Sequence, residues 1–271
     1  MSKKKIKGLY LTIIIIIVII VLCSSGYVGL RFYRHEKNQQ TMIKNLQQRI
    51  EKLETEIHHK AIAWDENGFN YFAIGNSITK HRLASYWWDN DRGMAASKDD
   101  ADYVHLVSQY LKESNSDVIT YSYNFSSWEV NHADRAEFLE MLDVYLSEKI
   151  DLITIQLGEN ASELSTWKSD FEKLIAYVQN KSPNADIIVI GDFWSNGERD
   201  TQKEQVAKNC GVMYVSLEGI KDNTDYYAGV GTLVEDANGE MHAIEHNGVA
   251  NHPGDKGMKA IADKIIEKLH K

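Results

Sequence analysis

Five short apolar runs, each followed by a stretch with helical spacing, constrain this chain more than any other feature. The runs are 69–75, 118–124 (Val118, Ile119, Tyr121, Tyr123), 151–157 (Leu152, Ile153, Ile155, Leu157), 186–191 (Ile187, Ile188, Val189, Ile190) and 212–217 (Val212, Met213, Tyr214, Val215, Leu217). The helical stretches fall at about 99–114, 133–148, 164–181, 198–209 and 255–270. Short apolar strands alternating with helices predict an α/β domain whose parallel sheet is covered on both faces. Ser182-Pro183-Asn184 marks a turn between helix and strand. Residues 218–251 break the rhythm with Gly, Asn and Asp, and a hairpin is expected at Asp236-Ala237-Asn238-Gly239. A loop this long before the last helix points to function.

The alternation begins only after residue 62. Residues 1–8 are short and basic, and the chain from 9 to 30 is apolar, with Ile13 to Ile17 in one run. About 20 such residues span a bilayer as a helix. Lys3, Lys4, Lys5 and Lys7 place the N-terminus in the cytoplasm and the domain outside the cell membrane, a single-pass arrangement that Arg31, Arg34 and Lys37 oppose weakly. Signal cleavage near Ser24, Ser25 and Gly26 is the rival reading. Residues 31–62 read as a helical stalk. Ile43, Leu46, Ile50, Leu53 and Ile57 alternate by three and four, which fits a coiled-coil homodimer through 43–57 or a helix packed on its own domain. Residues 63–271 then form the folded domain.

Charge narrows the partners. Of 30 Lys+Arg and 39 Asp+Glu, residues 1–37 hold seven bases and one acid, leaving 23 bases against 38 acids. A domain that acidic lacks the footprint of a nucleic-acid binder. Of two cysteines, Cys23 lies in the apolar segment and Cys210 alone in the domain, so neither an internal disulfide nor a cysteine metal site is expected. His242 and His246 stand four apart, but no companion carboxylate pattern accompanies them, and no metal or cofactor is expected.

Three stretches carry chemistry. In the first, a strand containing Tyr71, Phe72 and Ile74 stops at Gly75 and turns through Asn76-Ser77-Ile78-Thr79. A serine there stands at the carboxyl end of a strand, where open α/β sheets bind ligands, and Thr79 is a candidate cap for a following helix. Gln156-Leu157-Gly158-Glu159-Asn160 ends the third strand. Asn251-His252-Pro253-Gly254-Asp255-Lys256-Gly257 opens the last helix, with Asp255 read as its N-cap. The ends of the first and third strands share one edge, so Ser77 and Asn160 meet there and the last loop brings His252 over them.

These blocks in this order resemble the SGNH (GDSL-like) hydrolase family over about residues 68–271. Gly75-Asn76-Ser77-Ile78-Thr79 is similar to its nucleophile block, Gly158-Glu159-Asn160 to its Gly-x-Asn block, and His252-Pro253 with the residues after it to its histidine block. The resemblance implies a three-layer α/β/α, flavodoxin-like domain. It also implies acyl transfer, with Ser77 as nucleophile, His252 as base, and Asn160 as an oxyanion donor. Two departures stand out. The family's aspartate, three residues before the histidine, is Val249 here. That leaves a Ser–His dyad, an orienting backbone carbonyl, or another acid, with Glu129, Glu159 and Glu245 as candidates. The block after the second strand, Asn124-Phe125-Ser126-Ser127-Trp128-Glu129, lacks the family's glycine, and a backbone N–H near Ser127 is the candidate donor in its place. Trp87, Trp88, Trp128 and Trp194 are candidates for stacking on sugar rings, against core packing as the alternative. The expected function is a membrane-anchored serine esterase removing O-acyl, above all O-acetyl, groups from a cell-surface carbohydrate. The rivals are an O-acyltransferase on the same dyad and a catalytically weak glycan-binding or scaffold module.

Overall fold

The computed structural model describes residues 62–88, 91–195 and 197–270. The expected membrane segment at 9–30, the seam at 43–57 and all of the stalk but Ile62 lie outside the described residues. Among those described, no helix is long and apolar enough to cross a membrane.

Five parallel strands form the sheet: β1 (Phe69–Gly75), β2 (Val118–Asn124), β3 (Leu152–Gln156), β4 (Asp186–Ile190) and β5 (Met213–Val215), in the order β2-β1-β3-β4-β5. Alternate side chains of each strand feed opposite faces. Phe72, Ile74, Ile153, Ile155, Ile187 and Val189 join one core, which Phe171, Leu174 and Val178 of helix α4 (Trp167–Lys181) and Val206 of α5 (Arg199–Cys210) complete. Tyr71, Ala73, Leu152, Ile188 and Ile190 join the other, under Val104 and Val107 of α1 (Tyr103–Ser114) and Met258, Ile261 and Ile265 of α7 (Asp255–Leu269). Helices therefore cover both faces, in the three-layer, flavodoxin-like arrangement.

Register levels the site. Gly75 pairs with Asn124 on one side and with Gln156 on the other. The loops leaving β1, β2 and β3 thus emerge at one edge, at the point where strand order reverses. The expected hairpin forms, with β6 (Leu233–Glu235) antiparallel to β7 (Met241–Ala243).

Three local expectations are corrected. Residues 133–148 are not one helix. Short helices α2 (Ser126–Val130) and α3 (Arg135–Phe138) are followed by a 3-10 turn at Leu139–Leu142. The chain bends there to seat Arg135, 2% exposed, with its guanidinium 5.2 Å from the centres of both the Trp128 and Trp167 rings. Thr79 caps no helix; its buried hydroxyl meets the Tyr103 hydroxyl at 2.7 Å. Gly254, not Asp255, is the N-cap of α7, because the Asp255 carboxylate accepts from the Ser97 N–H and hydroxyl instead.

Candidate active site

The site begins with a glycine that leaves no room for a side chain. A Cβ on Gly75 would lie 1.8 Å from Thr79 Oγ1 and 2.8 Å from the Gln156 carbonyl oxygen. That closeness lets the chain fold back at once, with the Thr79 and Lys80 N–H groups both donating to Asn76 O. Ser77 is left at the tip of the turn. Asn76 is fully buried and uses every polar atom of its side chain. Its Oδ1 accepts from Ile78 N–H, and its Nδ2 donates to Glu129 Oε1 at 3.1 Å and Glu159 Oε2 at 2.8 Å.

His252 comes from the loop between the short helix α6 (Asn247–Ala250) and α7. Its Nε2 lies 2.8 Å from Ser77 Oγ, and its Nδ1 lies 2.7 Å from the Gly248 carbonyl oxygen. A carbonyl only accepts, so the ring proton sits on Nδ1 and Nε2 faces the serine as an acceptor. Trp194 packs edge-on against the ring, with centroids 4.9 Å apart. Burial pulls His252 down to about 4, despite the Gly248 bond that favours its protonated form; His81 nearby adds to the lowering. The imidazole is therefore neutral at physiological pH.

The three candidate orienting acids are not brought to His252; no hydrogen bond joins any of them to its ring. Glu245 is exposed. Glu129 and Glu159 lie beneath the Ser77 and Asn160 loops, where Glu129 Oε2 accepts from Asn160 Nδ2 at 2.7 Å and Glu159 Oε1 from Gln156 Nε2 at 2.6 Å. Val249 is buried beside Trp87, Val234 and Ile244. The Gly248 carbonyl occupies the place that a carboxylate would take. Only the fold reveals it, since every residue carries a carbonyl.

The oxyanion candidates stand on the three neighbouring loops. Asn160 is exposed, with one amide hydrogen given to Glu129 and the other without an acceptor among the described residues. Ser127 lies in the first turn of α2, where backbone N–H groups lack helical partners. Among the described residues, neither the Ser77 nor the Ser127 N–H meets an acceptor. Gly158 adopts φ 139°, and a Cβ there would press on Arg199 and Asp192.

The four tryptophans divide. Trp87 and Trp128 are 0% and 1% exposed, so they are core and not sugar platforms. Trp88 is half-buried, stacked on His242 at 4.6 Å, and Trp194 is the one against the catalytic candidates. His242 does have carboxylate neighbours that its spacing did not betray. Ligand atoms of Asp236, Glu240 and His242 lie within 4.8 Å of one another. His242 Nε2 is already bonded to Asp236 Oδ2 at 2.9 Å. His246 is not part of the group; it stacks on Tyr86.

A buried ion cluster under the site also escaped sequence reading. Asp192 meets Arg199 Nε at 2.7 Å and Lys203 Nζ at 2.9 Å, and Lys203 also donates to the Leu157 carbonyl. The four-residue spacing of Arg199 and Lys203 on one helix was the available signal.

No family model matches the chain, and no curated protein sequence does. Among solved structures it is similar to a two-domain esterase active on acetylated mannans, at 15% identity over 74% of this chain and 49% of that one, with a TM-score of 0.47. It is similar also to phospholipase A1 from Streptomyces albidoflavus, at 14% identity over 74% of this chain and 99% of the other, with a TM-score of 0.45. A member of the lipolytic G-D-S-L family from Veillonella parvula matches at 15% identity over 75% and 99% of the two chains, with a TM-score of 0.44. The chain spans about half the length of the two-domain esterase.

Proposed function

We propose that this chain is a serine esterase of the SGNH type, working through a Ser77–His252 dyad. The observation that carries the reading is the relay from Ser77 Oγ to His252 Nε2 at 2.8 Å and from His252 Nδ1 to the Gly248 carbonyl at 2.7 Å. Ser77 Oγ attacks the ester carbonyl while His252 Nε2 takes its proton. The tetrahedral oxyanion is held by the N–H groups of Ser77 and Ser127 and by the Asn160 amide. His252 then gives its proton to the leaving alcohol, and water, deprotonated by the same nitrogen, attacks the acyl-serine to release the acid.

The carbonyl in place of a carboxylate has a defined cost. In a Ser-His-Asp triad the acid fixes the tautomer and stabilises the imidazolium. Gly248 supplies the first service in full and only the dipolar part of the second. A ring held down to about 4 by burial gains proton affinity from the oxyanion forming beside it, because a nearby negative charge favours the imidazolium.

The substrate we infer is an O-acylated, above all O-acetylated, carbohydrate at the cell surface. Support comes from the family resemblance and from the basic and apolar sequence at 1–30, read as an anchor that leaves the domain outside the membrane. The test is hydrolysis of p-nitrophenyl acetate by the full-length chain in detergent, beside Ser77→Ala and His252→Ala, followed by acetate release from acetylated glycans. Loss of activity in both variants is expected. Equal activity in wild type and Ser77→Ala, with Ser77 unlabelled by an organophosphonate, refutes the reading in favour of a binding module. Acetyl appearing on an added sugar, with no free acetate, makes the enzyme a transferase.

A further inference from the structure

Under the oxyanion edge lies a buried acid that the dyad leaves unemployed. Glu129 is 1% exposed, and its carboxylate meets donors only: Asn160 Nδ2 on Oε2 at 2.7 Å, Asn76 Nδ2 on Oε1 at 3.1 Å, and the Gly158 N–H, also on Oε1. Three donors and no acceptor suit an ionised carboxylate. A carboxylic acid would carry an O–H that finds no acceptor among these three partners.

Asn160 itself is exposed, and nothing else holds its amide nitrogen among the described residues. With one hydrogen fixed on Glu129, the amide plane is set and the second hydrogen is aimed. Without that bond the side chain rotates freely, and a donor that must be in place before the charge develops is lost.

We propose that Glu129 is a positioning residue, whose ionised carboxylate holds the Asn160 amide in the orientation that stabilises the oxyanion at Ser77. This deepens the esterase reading and rests on it. Asn76 and Gly158 anchor the carboxylate from the other side and join it to the nucleophile turn.

The charges around Glu129 make the arrangement pH-dependent. Burial, with the charge of Glu159 added, lifts its carboxyl to about 7, against the opposing bonds from Asn160, Gly158 and Asn76. Glu159 is raised as well, by burial and by Asp192, with Lys203 and Arg199 opposing. Arg135 bonds the Glu129 main-chain carbonyl at 3.0 Å, and no cation among the described residues bonds the carboxylate. Ionised Glu129 is the competent form, so kcat rises as pH rises through about 7, well above the value of about 4 for His252.

The experiment is the pH dependence of kcat and KM on p-nitrophenyl acetate from pH 5 to 8.5. It uses the full-length chain as wild type, Asn160→Ala, Glu129→Gln, the double variant and Ser77→Ala. Wild type is expected to show an acid limb near 7. In Asn160→Ala that limb leaves the measured range, kcat falls on the order of 10²-fold, and KM stays within about twofold. Glu129→Gln matches it, and the double variant is no more than about twofold worse than Asn160→Ala alone. A limb that persists near 7 in Asn160→Ala, or losses that multiply in the double variant, overturns the proposal. If circular dichroism shows Glu129→Gln unfolded, the wild-type and Asn160→Ala profiles decide, since Asn160 is exposed. Ser77→Ala as active as wild type defeats the esterase reading and this inference with it. Loss in Ser77→Ala alongside an unaltered Asn160→Ala defeats this inference only.

Discussion

Replacing His252 with Gln removes a titrating group whose neutral form the fold enforces, and the cost of that enforcement is measurable. His252 sits at about 4 in the folded chain because burial disfavours its charge. In the unfolded chain it titrates near 6.5. A group with a depressed folded value binds more protons when unfolded, so stability falls as pH drops through 6.5 toward 4. Between pH 7 and 4.5 this linkage removes about 2 kcal/mol from the wild type. At roughly 2–4 °C per kcal/mol for a domain of this size, that is a Tm loss of about 4–8 °C. His81, also held at about 4 by burial, and Glu129, held up at about 7, titrate in wild type and variant alike. Their contributions cancel in the difference. The assay is thermal unfolding of the full-length chain and of His252→Gln at both pH values. The variant should lose about 4–8 °C less than wild type over that window. Equal losses would mean that His252 is not held neutral, and the account of it as a ready base would fail.

Gly75→Ala should destabilise the domain by about 3 kcal/mol and cut esterase activity more than tenfold, because the new Cβ falls 1.8 Å from Thr79 Oγ1 and forces the nucleophile turn open. Denaturant unfolding and p-nitrophenyl acetate turnover check it; a stable, active variant would remove the close approach from the argument. Lys203→Met should cost about 3–5 kcal/mol in the same unfolding assay, since it strips one cation from the fully buried Asp192 and leaves the Leu157 carbonyl bare.

Much of this molecule is written in its residue types. The period-two pattern of Phe72, Ile74, Ile153, Ile155, Ile187 and Val189 marks three of the five strands and sends these side chains to one core, while Tyr71, Ala73, Leu152, Ile188 and Ile190 between and beside them go to the other. The turn residues mark where those strands end. Chemistry-bearing types in a fixed order at those ends, Ser77, Asn160 and His252, point to one edge by residue type and position alone. What the sequence could not decide was which atom serves each of them. The partner of His252 is a main-chain carbonyl at Gly248, which no side chain announces. Glu129 was visible as an acid, but its three donors come from residues 29 to 53 positions away, so whether it faces His252 or Asn160 depended on register. Trp87 and Trp128 carry the same side chain as Trp194, and only the packing around them separates core from site. The helix expected at 133–148 gave way to the seating of Arg135 between two rings, a long-range contact that outweighs local propensity. Local pattern determines elements because it acts along the chain; the tertiary structure decides partners because they meet only across it.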